Sequence, residues 1–391
     1  MAKSKRPRPS ERPRFNLPII DPVLDQFWVD SRLFLEEAGY RLPPKFDPSW
    51  SPANEIEETE AQARLPRRSL MSTVRLSDGL QVILKKLELD SPEFEISLLF
   101  SSPPLSLDPR NHCVPVFQVL KYAEFGILVL PLLRKFDDPP FDTVGEVVEC
   151  FRQFFEGIQF MHQNLVAHCD CTKLNIMMDP TKLYPKGFVP ERPYMKADDS
   201  GFVSPSCTRT ACWPRYFLID FGHSRRYDPA AGTPHEWVLR GGDKTAPEHR
   251  NPDALQCNPF PTDIYYLGNL LREYFLDTKN YCNPTRIGLD FLRPLVEDMV
   301  KENPYDRPTI DDVVMRFDTI VNSLSRCRLQ ALTQLGNQPL FFPFAYVARR
   351  FKFALMLKSP LPQISPSPSR VLSATRDFYT SKHQQIDVPT T

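Results

Sequence analysis

The spacing of apolar positions divides the chain into a strand-rich part followed by a helix-rich part. From Asp21 to Gly39, Leu24, Phe27, Trp28, Phe34 and Leu35 recur at helical spacing with Gly39 as a stop, which predicts a helix laid against another element. Between Thr73 and Leu87 two β-rich runs flank Ser77-Asp78-Gly79, a turn sequence that predicts a hairpin. A short helix over Pro92 to Ser101 and strands over Val114–Leu120 and Gly126–Leu133 complete this part. From Thr143 to His162, Val144, Val147, Val148, Phe151, Phe154, Phe155, Ile158 and Met161 lie on one face of a long helix. Helical periodicity resumes over Thr262–Phe275, Gly288–Lys301 and Thr309–Leu324. Two short apolar runs, Asn175–Met178 and Tyr216–Ile219, read as neighbouring strands, yet almost forty residues separate them. A connection of that length within a compact domain marks an insertion, here over about 180–215.

Composition adjusts the edges of this picture. At 391 residues the chain is long enough for one two-lobed domain with extensions, and its 48 basic and 48 acidic side chains balance. Nothing global therefore draws it to nucleic acid or an anionic membrane, and partners must be read from sites. Forty-one prolines crowd into residues 7–54, 102–115, 180–193, 205–261 and 359–369, the expected connections and tails. Residues 1–16 mix Lys3, Lys5, Arg6, Arg8, Arg12 and Arg14 with prolines, a composition that builds no core and gives a weak hint of nuclear import. Nine cysteines without paired spacing and a basic, polar start point to a reducing intracellular compartment, cytoplasmic or nuclear. Cys169 and Cys171 lack the second pair that a zinc site needs. The apolar run Leu340–Leu357 is interrupted by Arg349, Arg350 and Lys352 and reads as a docked amphipathic helix, too broken for a membrane span.

Three strings then appear in a fixed order: His168-Cys169-Asp170 with Asn175 five residues on, Asp220-Phe221-Gly222, and Ala246-Pro247-Glu248. Phosphoryl transfer needs a group that orients the attacking hydroxyl and hard oxygen ligands for magnesium, and Asp170, Asn175 and Asp220 are residue types that supply these. On these motifs, over about Arg75 to Val321, the chain resembles the eukaryotic protein kinase superfamily, and more narrowly a divergent group of fungal kinase-like proteins. The resemblance implies an α+β, two-lobed protein-kinase-like fold, with a small, mostly β N-lobe at 67–133 and a larger helical C-lobe at 134–325. Residues 1–66 would be an N-terminal extension, and 326–391 a C-terminal appendage with a disordered tail. It implies ATP and Mg2+ as cofactors, Asp170 as the catalytic aspartate, and Lys85 on the nucleotide phosphates, held by Glu95 or else by Glu93. Asn175 and Asp220 would be the metal ligands. Leu130 would stand behind the adenine, with the Pro131 carbonyl and the Leu133 N–H as its backbone partners. Glu248 with Arg307 would form a buried ion pair, and Asp263 would hold the catalytic loop.

Several positions depart from the family's pattern. Between residues 60 and 85 the only glycine is Gly79, so no glycine-rich loop precedes Lys85. Thr172 stands where serine/threonine kinases carry a lysine, with Lys173 one place further on, and Gly241 stands where they carry a threonine. Cys169 replaces an arginine that would neutralise an activation-loop phosphate. Three readings follow: a protein kinase acting on Ser/Thr hydroxyls of an unidentified protein substrate, a pseudokinase that binds a partner, and a small-molecule phosphotransferase. Ala246-Pro247-Glu248, Asp263 and Arg307 weigh against the last, because they belong to a peptide-binding segment.

Overall fold

The computed structural model describes residues 22–47, 49, 69–237, 242–250, 256–277, 287–333 and 359–362. The basic N-terminal tail, the linker near 52–66, Gly241 and the apolar run 340–357 lie outside the described residues. The chain is a mixed α/β protein with a curled antiparallel sheet and a set of helices, an arrangement compatible with two lobes.

The helix expected before Gly39 is two: α1 (Pro22–Asp30) and α2 (Arg32–Glu37), parted at Ser31. Gly39, at φ +91°, ends the second with a backbone geometry that L side chains resist. Next come β1 (Tyr40–Arg41), β2 (Leu70–Arg75), β3 (Gln81–Glu88), α3 (Pro92–Ser101), β4 (Gln118–Tyr122) and β5 (Phe125–Pro131). The five strands form one sheet in the order β1-β2-β3-β5-β4. Strand alternation gives it two distinct faces. Met71, Val82, Leu84, Ile127 and Val129 share one face and are buried. Helices α1 and α2 cover it: Phe27 packs edge-on to Phe125 and Tyr122, and the Lys86 ammonium lies 3.6 Å from the Phe125 ring centre. Ser72, Ile83, Lys85, Leu128 and Leu130 share the other face, which looks toward the helical part.

Strand β6 (Arg134–Lys135) leads to α4 (Val144–Gln163). Thr143 starts this helix with a capping box: its hydroxyl accepts from the Glu146 N–H at 3.2 Å while the Glu146 carboxylate accepts from the Thr143 N–H. Strand β7 (Val166–Ala167) precedes β8 (Ile176–Met178), which pairs with β6 and with β9 (Tyr216–Leu218). The insertion between β8 and β9 contains one short helix, α5 (Arg209–Cys212), and adds Leu183, Tyr184 and Phe188 to the core. Strand β10 (Arg225–Arg226) pairs with β7, and β11 (Glu236–Trp237) with β12 (Gln256–Cys257). Helices α6 (Pro259–Leu271), α7 (Arg293–Met299) and α8 (Ile310–Asn322) follow, and α9 (Arg326–Leu329) begins the appendage. The residues just after α9 are docked, with the Val144 N–H donating to the Ala331 carbonyl at 2.9 Å and the Ile287 N–H to the Thr333 carbonyl at 3.0 Å.

Candidate functional site

The site lies between the inner face of the five-stranded sheet and the β7–β8–β9 region. Lys85 comes from the middle of β3, where alternation sends it inward. Its Nζ donates to Glu93 Oε1 at 2.5 Å and to Asp220 Oδ1 at 2.9 Å. The expectation for Glu95 needs correction, since the carboxylate on Lys85 is that of Glu93. Two residues along a helix is a turn of about 200°, so the two glutamates of the first turn of α3 point to opposite sides. Glu95 instead faces Arg226, 3.7 Å away, with both side chains largely exposed. Burial alone would push the Lys85 ammonium down; the Glu93 and Asp220 carboxylates outweigh it and hold its pKa above the usual lysine value. Burial acts on Asp220 in the upward direction, but the neighbouring Lys85 keeps this carboxyl below its ordinary range.

Asp220 follows β9 in the left-handed region, φ 65° and ψ 76°, which turns its carboxylate back toward β3. Pairing of β8 with β9 puts Asn175 beside Ile219, whose N–H donates to the Asn175 carbonyl at 2.9 Å. Asn175 Nδ2 donates to the Asp170 carbonyl at 3.0 Å and to Asp170 Oδ2 at 2.7 Å, so its amide oxygen is the atom available to a cation. The second Asp170 oxygen, Oδ1, accepts from the Gly242 N–H at 2.7 Å. Gly242 was not anticipated as a partner of Asp170; a backbone amide carries no residue-type signal, and only chain folding brings it there.

The loop that presents Asp170 hangs from one buried carboxylate. Asp263, fully buried on α6, accepts from the His168 and Cys169 N–H groups at 2.8 Å each and contacts His162 Nε2 at 2.9 Å. Glu248 and Arg307 meet through two 2.8 Å contacts, with Thr262 Oγ1 donating to the same carboxylate at 2.6 Å. Burial would raise Glu248, but the bonds from Arg307 prevail and its pKa is lowered.

The remaining expected residues spread around this centre. Thr172 Oγ1 is buried and has no hydrogen-bond partner among the described residues. The Lys173 ammonium sits 4.4 Å from the Tyr274 ring centre. Thr172, Lys173, Gly242, Asp243, Asn269 and Tyr274 line a cleft of about 240 Å³ beside Asp170. Leu130 stands opposite Ile83 on the inner face of the sheet and packs against the small cluster of Phe94, Val116 and Leu128. Pro131 ends β5 opposite Val82, and Leu133 is buried in the main core.

Among the described residues, no group of three or more His, Cys, Asp and Glu side chains could hold a metal ion by itself. Magnesium at nucleotide sites is bound by one or two carboxylates together with phosphate oxygens. Asp220 and the Asn175 amide oxygen fit that use and do not form a protein-only cage. No described helix is long and apolar enough to cross a membrane.

No protein-family model matches the chain. It is similar to a "Light-sensor Protein kinase" of Ceratodon purpureus, 25% identical over 240 residues that cover 55% of this chain and 17% of that protein. The chain thus spans less than a fifth of that relative's length. This comparison does not bear on the narrower fungal resemblance. What it adds is a distant, partial likeness to a protein kinase.

Proposed function

We propose that this protein is an ATP- and magnesium-dependent protein kinase that transfers a γ-phosphoryl group to serine or threonine hydroxyls of a protein. The observation that carries this reading is Lys85 held by Glu93 and Asp220, together with Asp170 held by Asn175. An ammonium fixed between two carboxylates is placed to meet phosphate oxygens as a point charge. Magnesium, held by Asp220 and Asn175 with the phosphates, would neutralise the charge of the transferring group. Asp170 orients the acceptor hydroxyl and takes its proton, and the cleft beside it gives room for an acceptor segment. The small-molecule alternative is disfavoured by the Glu248–Arg307 pair and the Asp263 anchor, which organise the segment bordering that cleft.

One feature favours a pseudokinase. The connection from Arg41 to Leu70, which joins β1 to β2, contains no glycine. Backbone amides of a glycine-rich loop are how the family closes over phosphates.

Thermal melting with and without ATP, each with and without magnesium, separates the readings when run beside Lys85→Met and Asp220→Asn. Ligand at about one hundred times its Kd adds about 2.7 kcal/mol, roughly 2–4 °C per kcal/mol in a domain of this size. A magnesium-dependent shift that both variants lose, with transfer abolished in Asp220→Asn, is the expected result. No shift at millimolar ATP would leave the pseudokinase.

A further inference from the structure

The insertion between β8 and β9 does not project from the surface; it returns to the sheet. Its root is Arg134, at the start of β6, whose guanidinium lies 4.2 Å from the Tyr184 ring centre and 4.8 Å from that of Phe188. The same side chain donates to the Pro193 carbonyl at 2.6 Å and pairs with Asp138 at 2.8 Å. From this root the chain passes Gln81 at the start of β3. Gly187 approaches so closely that an added Cβ would stand 3.1 Å from Gln81 Oε1, and its φ of +72° also favours glycine. Two residues past the Val189 bridge to Arg192 begins, Glu191 accepts a short hydrogen bond from the Ser72 hydroxyl.

Ser72 is the informative partner. It stands directly opposite Ile83, which stands opposite Leu130, so all three side chains share the face that carries Lys85. On the nucleotide-site reading, a base and ribose would lie under this face, next to Leu130. A carboxylate drawn onto this surface occupies room at the mouth of the cleft and opposes the charge of an incoming polyphosphate.

We infer that Glu191, held on Ser72 by the insertion, is a residue that sets nucleotide affinity by covering the sheet face next to Ile83 and Leu130. The inference rests on the nucleotide-site reading above. Binding of a nucleoside polyphosphate then requires Glu191 to leave Ser72, and the rooted insertion draws it back on release.

The test is titration of the full chain with a fluorescent ADP analogue and with ATP, both with magnesium, comparing wild type, Glu191→Ala, Glu191→Gln and Ser72→Ala. Because Glu191 is exposed, these proteins should melt together, which a melting curve checks. Glu191→Ala should lower the Kd about five- to tenfold, Ser72→Ala should lower it too, and adding Lys85→Met to Glu191→Ala should remove binding. An unchanged Kd, or a weaker one because the carboxylate contacts the ribose, would overturn the inference while leaving a Lys85-dependent nucleotide site standing. Failure of wild type and Glu191→Ala alike to bind would remove the nucleotide site and the inference with it.

Discussion

Replacing Asp263 by alanine tests the suspension of the loop that carries Asp170. The carboxylate is fully buried and accepts the His168 and Cys169 amides, each at 2.8 Å, with His162 Nε2 at 2.9 Å. His168 and Cys169 are themselves buried, so without the carboxylate their N–H groups lose their acceptor in a place water does not readily reach. A hydrogen bond to a charged acceptor is worth about 1.5–3 kcal/mol, and a buried donor left unpaired costs about 1–3 kcal/mol. Two such donors place the loss at about 3–5 kcal/mol, the range for breaking a buried charged network. At roughly 2–4 °C per kcal/mol, Asp263→Ala should melt on the order of 10 °C below wild type by calorimetry. Asp263→Asn, which keeps the volume and one carbonyl acceptor, should lose less. Hydrogen exchange should speed up first at His168 and Cys169, because the loop is released before the helices around it. Melting of Asp263→Ala within about 1 °C of wild type would refute the suspension argument, whatever its effect on activity.

Three further outcomes are expected. Arg307→Ala strands the buried Glu248 carboxylate and should cost about 3–5 kcal/mol in a urea unfolding curve, more than the Arg307→Ala/Glu248→Ala double change adds up to. The lowered Glu248 pKa has a pH signature: its contribution is present above the unfolded value of about 4.3 and is lost as pH falls through the folded value. Glu93→Gln should reduce phosphate transfer at least tenfold, about 1.4 kcal/mol of barrier, whereas Glu95→Gln should stay within about twofold, because an exposed pair is worth about 0–1 kcal/mol. Equal effects of the two changes in kcat/KM would reassign the partner of Lys85.

Much of the fold is legible locally. The apolar stripe of α4 and the capping boxes at Thr143 and Thr309 are short-range patterns, and they set those helices to within a residue or two. Tertiary context altered what periodicity could not see. The first predicted helix is divided at Ser31, although the Ser31 N–H still donates to the Phe27 carbonyl and the Leu35 N–H to the Ser31 carbonyl, each at 2.9 Å. The strand expected from Val114 starts at Gln118, since the preceding residues are drawn to β9, with the Val114 N–H donating to the Leu218 carbonyl at 2.9 Å. Arg209 gave no signal as a structural residue, yet it is buried and donates to the Phe136 and Pro139 carbonyls, so an arginine in a polar insertion serves as an internal anchor.

The order of Asp170, Asn175, Asp220, Glu248 and Arg307 is a property of the sequence alone, because spacing and residue type specify which chemistry can be assembled. Their partners are a property of the tertiary structure. Glu93 and Glu95 are equivalent in composition and sit in the same helical turn, and only the angle at which α3 meets β3 decides which carboxylate reaches Lys85. The Gly242 amide on Asp170 and the Glu191 carboxylate on Ser72 join positions 72 and 119 residues apart. Contacts at that separation are set by chain path and packing, which no local pattern of side chains encodes.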